Sequence, residues 1–285
     1  MAEQTPINFL YLGGDKCGST WLHHVLSRHP EVKLARAKEL FFFDRFYEKG
    51  WQWYLSQFPD GSAKRTGEIC HDYLYSNAAL KRIARDTAPD SVYLITLRNP
   101  YERTLSHWRY LRKIGRTRLG FCDAVRELPG LTDHSLYHSR IQAAFDTLGR
   151  DRVRILWFDD LRRDPALFGM GLCAALGVTH IEDLPYSDRV LEGGTARAPR
   201  LVNLLRNVGW ALRAIGAPAV VGKVKSHPWT HRILFSNRAS RSSADEIDDS
   251  VRSYLAACFD SDIAKLEHLT GRDLSAWRNW PAQSA

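Results

Sequence analysis

Tyr11-Leu-Gly-Gly-Asp-Lys-Cys-Gly-Ser-Thr-Trp-Leu22 decides how this 285-residue chain folds. The apolar run Ile7–Leu12 that leads into it is short and ends on glycines, the pattern of a buried strand entering a turn. Beyond the turn, Trp21, Leu22, Val25 and Leu26 share one stripe at helical spacing. Ser19 to Arg28 is therefore predicted as a helix, which Pro30 ends. A Gly-rich turn between strand and helix suits phosphate. Glycines let the backbone approach an anion, and the N–H groups opening the helix at Gly18, Ser19 and Thr20 have no intrahelical partners. Lys16 adds a full charge, and the hydroxyls of Ser19 and Thr20 add donors.

Working outward, Arg65–Cys70 reads as a second strand, and Asn77–Asp86 as a helix capped by Ser76 or Asn77. Ser91–Leu97 carries the strongest strand signal, and Pro100 then opens a helix to Lys113. His134–Leu148 reads as a helix, Val153–Phe158 as a strand, and Asp160–Leu176 as a helix that Gly177 terminates. A last helix is predicted over Ala244–Leu269. Strands alternating with helices imply an α/β fold with a central parallel sheet flanked by helices, whose ligands bind beyond the carboxyl ends of the strands.

The nearest competing motif is the triphosphatase loop G-x-x-x-x-G-K-[ST]. Gly13 and Gly18 have its spacing, but Ser19 follows Gly18 and the lysine, Lys16, lies ahead of it. That displacement argues against an ATPase or an ATP-dependent small-molecule kinase. A G-x-G-x-x-G dinucleotide fingerprint is absent from the turn as well.

Lys16-Cys-Gly-Ser-Thr-Trp-Leu22 resembles the K-[ST]-G-T-[TS]-x-L loop of sulfotransferases that use 3′-phosphoadenosine 5′-phosphosulfate (PAPS). Leu94-Ile-Thr-Leu-Arg-Asn-Pro-Tyr-Glu-Arg-Thr-Leu-Ser106 is similar to the same family's L-R-[DN]-P-x-[ED]-R-x-x-S pattern. The resemblance implies a single sulfotransferase domain over residues 1–285, of the P-loop-kinase-like sulfotransferase fold. It implies that Lys16, Cys17, Gly18, Ser19, Thr20 and Trp21 bind the 5′-phosphosulfate, and that Arg98 and Ser106 bind the 3′-phosphate. Cys17 stands where Ser, Thr or Gly is usual; its backbone can still serve there, while the family's side-chain contact does not carry over to it. Arg103 reads as structural.

Lys38-Glu-Leu-Phe-Phe-Phe-Asp44 resembles the K-E-x-x-F-F-D segment of the heparan sulfate sulfotransferase branch and of bacterial relatives, where the Glu is the catalytic base. That role carries over to Glu39, whose apolar flanks are expected to raise its pKa. The plainer alternative is a surface Glu paired with Lys38. A rival base is His71, in Gly67-Glu-Ile-Cys-His-Asp-Tyr73. The branch reads E-K-T-P-x-Y there. Glu68 and Tyr73 match, while Ile69 replaces the lysine, whose function is then missing or supplied from elsewhere. Ser135-Leu-Tyr137 is similar to the family's S-x-Y element, which implies that Tyr137 helps hold the nucleotide. A late basic loop closes over the nucleotide in the family, with Arg197 or Arg200 as its counterpart here. The implied reaction moves a sulfuryl group from PAPS to a hydroxyl, or less readily an amine, of a carbohydrate, lipid or secondary-metabolite acceptor. It releases adenosine 3′,5′-bisphosphate and requires no metal.

Composition narrows the setting. The net charge is +8, and residues 193–243 hold nine of the 40 basic residues and none of the 32 acidic ones. The rest of the chain is near neutral, so the excess should draw an anionic partner to one segment. Within it, Leu201, Leu204, Leu205, Val208, Leu212 and Ile215 form an apolar stripe at helical spacing. A helix packed on the core and a lid that selects an acidic, lipidic or carrier-borne acceptor are both consistent with it. The second function class is a nucleotide- or nucleic-acid-binding module on this basic stretch, but few aromatics are interleaved there. Five scattered cysteines form no disulfide or zinc pattern. With no signal-peptide pattern and no span of roughly 18 apolar residues, a cytoplasmic setting is expected.

Overall fold

In a computed structural model, the described residues are 6–188, 190, 195–196, 208, 235–236 and 247–278. They form two compact units. The first comprises chiefly residues 6–97 and 143–188, the second chiefly 98–142 and 247–278.

Five parallel strands make the sheet of the first unit: β1 (Phe9–Gly13), β2 (Val32–Leu34), β3 (Arg65–Ile69), β4 (Val92–Leu97) and β5 (Val153–Trp157), in the order β2-β3-β1-β4-β5. β1 and β4 are apolar along their length and buried at every position, so they take central places. From β1 the chain runs to one side for β2 and β3, then to the other for β4 and β5. The carboxyl end of β1 is thus the switch point where such sheets open a crevice. Gly67 lies opposite Phe9, where a Cβ would meet the Phe9 carbonyl oxygen at 1.6 Å, so only glycine lets β3 close on β1.

Along the chain, α1 (Ser19–Leu26) buries Trp21, Leu22, Val25 and Leu26, as their stripe predicts. α2 (Phe42–Arg45) and α3 (Gly50–Leu55) follow β2. α4 (Asn77–Asp86) starts on Ser76, whose Oγ accepts the Ala79 N–H at 3.2 Å. The second unit holds α5 (Pro100–Lys113), α6 (Phe121–Glu127) and α7 (Gly130–Asp133). α8 (His138–Leu148) starts later than the expected His134, because the N–H groups of Tyr137 and His138 bond the Asp262 carboxylate at 2.7 and 3.1 Å. The single helix expected over Asp160–Leu176 is two, α9 (Phe158–Arg163) and α10 (Pro165–Leu176). Asp164 separates them. Its carboxylate accepts from Ala166 and Leu167 N–H, and Pro165 fills the first helical position. α11 (Asp249–Thr270) starts on the Asp248 cap and ends at Gly271, which is left-handed at φ 71°.

β6 (Thr195–Ala196) and β7 (Phe235–Ser236) pair antiparallel. The expected nucleotide contacts Arg197 and Arg200 and, apart from Val208, the apolar stripe of residues 201–215 lie outside the described residues. No helix among the described residues is long and apolar enough to cross a membrane.

Candidate functional site

β1 delivers the phosphate-loop residues to the carboxyl edge of the sheet, and the loop is pinned from beneath. Gly14 N–H donates to Thr96 O at 2.9 Å, and Tyr11 Oη donates to Gly14 O at 2.9 Å. Tyr75 Oη donates to the Asp15 carboxylate at 2.9 Å, and Cys17 Sγ to Asp15 O at 3.3 Å. The Cys17 thiol is fully buried and turned to Asp15 O, so its side chain is not offered at the surface of the loop. Lys16, Gly18, Ser19 and Thr20 are partly exposed. Gly18 caps α1 at φ 97°, with Phe158 at 3.2 Å from where a Cβ would stand. No side chain caps the helix, and its first internal bond is Leu22 N–H to Gly18 O. The N–H groups of Ser19, Thr20 and Trp21 precede that bond, at the position where helices receive anions. The Trp21 side chain does not join them. Its indole N–H donates to Tyr186 O at 3.0 Å and its ring packs edge-on against Phe168, so the residue contributes at most its backbone N–H.

The base segment follows β2 and is clipped to the end of β3. Glu39 N–H donates to Ile69 O at 3.0 Å, Leu40 N–H to Glu68 Oε2 at 3.2 Å, and Phe43 N–H to Tyr73 Oη at 3.4 Å. The paired phenylalanines are anchors: Phe42 stacks on Tyr54 at 4.3 Å, and Phe43 meets Tyr73 edge-on at 5.5 Å. Lys16, Glu39 and Phe41 are the non-glycine residues with left-handed backbone among the described residues, at φ 63°, 63° and 57°. Each such residue costs roughly 1–2 kcal/mol, and strain of this kind concentrates where function needs it.

Glu39 does not have the apolar setting expected of it. Its Oε1 lies 3.4 Å from Lys38 Nζ and 3.2 Å from His71 Nδ1. His71 stands between two carboxylates, with Nε2 3.2 Å from Asp72 Oδ1. Burial pulls the His71 pKa down, but Glu39 and Asp72 outweigh it and leave the ring more basic than usual. A ring with an acceptor at each nitrogen is best satisfied as the imidazolium. Lys38, Glu39 and His71 keep 21%, 16% and 26% of their side chains exposed, so a substrate can reach them. At the end of the segment, burial raises the Asp44 carboxyl to about 6.

Lys38 is the residue whose importance sequence reasoning missed. Its Nζ donates to Ser19 Oγ at 3.0 Å and Thr20 Oγ1 at 3.2 Å while facing Glu39, so one ammonium joins the phosphate loop to the base segment. Only the local pair with Glu39 was visible in the sequence; the reach to α1 is tertiary.

In the second unit, Arg98 is the first residue after β4, and its guanidinium is held by Glu102 at 3.1 Å. Ser106 lies two turns along α5 and is partly exposed. Arg103 is fully buried and donates to Leu131 O at 2.8 Å and towards His107, the structural part expected of it. Tyr137 is also fully buried, and its hydroxyl donates to Arg98 O at 2.8 Å. It braces the backbone that presents Arg98, and Ser135 bonds Thr104 Oγ1 at 2.8 Å beside it.

No protein-family model matches the chain. A stretch of 107 residues is 29% identical to the membrane-associated sulfotransferase kil1 of Dictyostelium discoideum, covering 36% of this chain and 22% of that protein. A stretch of 102 residues is 36% identical to heparan sulfate glucosamine 3-O-sulfotransferase 6 of Homo sapiens, covering 35% of this chain and 29% of that one. The matches thus span less than a third of these curated relatives. Among solved structures, a sulfotransferase from Alicyclobacillus acidocaldarius superposes with a TM-score of 0.68 at 23% identity, over 96% of this chain and 100% of that one. A mouse sulfotransferase complexed with PAP gives 0.51 at 10% identity, over 97% and 88%. The chain is related to the sulfotransferases in sequence and has their fold.

Proposed function

We propose that this sulfotransferase relative transfers a sulfuryl group from PAPS to an acceptor hydroxyl and releases adenosine 3′,5′-bisphosphate. The observation that carries the reading is the Lys38 bridge, which brings the phosphate loop and a carboxylate base into one cluster. In the reaction the acceptor oxygen attacks sulfur and gives its proton to Glu39 as the bond from sulfur to the 5′-phosphate breaks. Lys16 and the N–H groups opening α1 meet the charge that develops on the leaving phosphate.

The geometry favours Glu39 over His71 as the base. His71 has a carboxylate at each nitrogen, so it is spent as a charged partner that orients Glu39. Lys38 supplies the cation that Ile69 does not. Arg98 and Ser106 take the 3′-phosphate, as the resemblance implies, with Tyr137 bracing Arg98. Chain 1–285 acts as one sulfotransferase domain, in which the basic stretch 193–243, with Arg197 and Arg200, closes on the nucleotide or selects the acceptor. The acceptor is a glycan first, with lipid and secondary-metabolite hydroxyls as competitors, and the scattered cysteines suit the reducing cytoplasm.

The test is thermal protection by adenosine 3′,5′-bisphosphate, ATP with Mg²⁺, and an oligonucleotide. It is followed by sulfur-35 transfer from PAPS to de-sulfated heparan oligosaccharide, a fatty alcohol and a phenol. Protection by the bisphosphate with label in one acceptor is expected. Protection by ATP with Mg²⁺ alone would overturn the reading in favour of a kinase, and by the oligonucleotide alone in favour of a nucleic-acid-binding module.

A further inference from the structure

We infer that Glu68 is the positioning residue of the base, a buried clasp whose two oxygens hold the Lys38-Glu39-Leu40 turn in its left-handed shape. This inference rests on Glu39 being the base. Glu68 lies on β3 with no exposed surface; among the described residues Asp15 is the other buried carboxylate. Its Oε2 accepts the Leu40 N–H at 3.2 Å, immediately after Glu39. Its Oε1 accepts the hydroxyls of Tyr73 at 2.6 Å and Tyr54 at 2.9 Å. Those tyrosines are themselves the anchors of the base segment, Tyr54 stacked on Phe42 and Tyr73 bonded to Phe43 N–H. The Leu40 N–H and both anchoring tyrosines thus converge on one carboxylate.

The alternative is that Glu68 merely satisfies two buried phenols. An apolar core would do that more cheaply, because two phenylalanines need no acceptor and a buried charge is costly. What a pair of phenylalanines would not do is accept the Leu40 N–H. Leu40 follows the strained Glu39, and without a fixed acceptor the φ of 63° at Glu39 has less to hold it. Glu39 could then relax, and its carboxylate would leave Lys38 and His71.

The clasp is also sensitive to pH. Burial raises the Glu68 carboxyl to about 7, opposed by the hydrogen bonds from Tyr73, Tyr54 and Leu40. The groups facing it are Tyr54 of α3, Tyr73 of the turn after β3, Asp44 of α2 and Cys70 just beyond β3. Protonation replaces one acceptor site by a donor, so three donors compete for fewer lone pairs.

The experiment uses the full chain with Glu68→Met, Glu68→Gln and Glu39→Gln. It reads release of adenosine 3′,5′-bisphosphate from PAPS, with de-sulfated heparan oligosaccharide or buffer water as acceptor, and hydrogen exchange at the Leu40 amide. Glu68→Met should lower kcat about 10²-fold, leave the donor KM near wild type, and speed Leu40 exchange about tenfold. Glu68→Gln should fall about tenfold below wild type above pH 8, and the two kcat profiles should converge below pH 7, where the wild-type clasp is neutral too. A folded Glu68→Met with wild-type kcat and wild-type Leu40 exchange overturns the inference. So do parallel kcat profiles for wild type and Glu68→Gln. If Glu68→Met does not fold, the Glu68→Gln profile decides. If Glu39→Gln keeps its kcat, the base assignment has failed instead, and Leu40 exchange still judges the clasp.

Discussion

The phosphate loop and the base segment lie at the same edge of the sheet and are held in opposite ways. The loop is built from backbone. Its glycines, the uncapped start of α1, the hydroxyl bonds from Tyr11 to Gly14 O and from Tyr75 to the Asp15 carboxylate, and the Gly14 N–H bond to Thr96 O define it. The base segment is built from side chains drawn from two stretches of chain, 38–39 and 68–72, and charges hold it: Lys38, Glu39, His71 and Asp72 in series, with buried Glu68 behind. A backbone site tolerates changes of side chain, whereas a side-chain site does not. The Cys17 in place of Ser, Thr or Gly makes that point, since its thiol faces inward and leaves the N–H unchanged.

Substitutions can break or sharpen this contrast. The largest effect is expected from Glu39→Gln, about a 10³-fold loss in kcat with thermal protection by adenosine 3′,5′-bisphosphate intact. Loss of that protection would show that the two regions are one binding unit. Next comes the pH dependence of stability. The Glu68 carboxyl titrates at about 7 when folded against 4.5 ordinarily. A folded pKa above the unfolded one means that the favourable contribution is complete below pH 4.5 and is lost as the pH rises through 7. Between these limits the group should remove about 3 kcal/mol. Urea melts from pH 4.5 to 8 should show that slope in wild type and a flatter one in Glu68→Gln; equal slopes would refute it. The His71 ring, raised above its ordinary value, adds a slope of the same sign that remains in the variant.

On the proposed reaction, in which the Lys16 charge serves the leaving phosphate, Lys16→Ala should cost about 10²-fold in kcat, read in the PAPS assay, while the backbone cradle persists. The smallest effect is expected from Cys17→Ser, at about 1 kcal/mol of stability in urea with donor affinity unchanged. A large loss of affinity there would show that the side chain matters and would narrow the contrast between the two regions.

Much of this was readable from the residues, for reasons that differ by element. β1, β4 and β5 announce themselves as largely apolar runs bounded by turn residues, whereas β3, Arg65-Thr-Gly-Glu-Ile69, carries a weaker signal. β2 does not announce itself, because three residues at a sheet edge carry too little pattern. The break between α9 and α10 was written in Asp164-Pro165 but hidden by an apolar pattern that continues through it. The loop, Arg98 and Ser106 are local motifs and were legible as such. Lys38 reaching Ser19, Glu39 meeting His71, and Glu68 holding Leu40 are contacts between distant stretches, and no spacing in the chain encodes them. Trp21 counts among the ligand-binding residues because the motif includes it, yet the helical stripe already aims its side chain at the core.

The left-handed backbone at Lys16 and Glu39 has a consequence for directed evolution. Glycine or asparagine at either position would relieve the conformational cost and remove the charge together. A laboratory population selected for heat resistance alone should therefore drift towards Lys16→Gly, Lys16→Asn and Glu39→Gly, gaining melting temperature as turnover disappears. Selection on product formation should hold both positions. Sequencing two such populations would mark the working residues of this fold without a single purified variant.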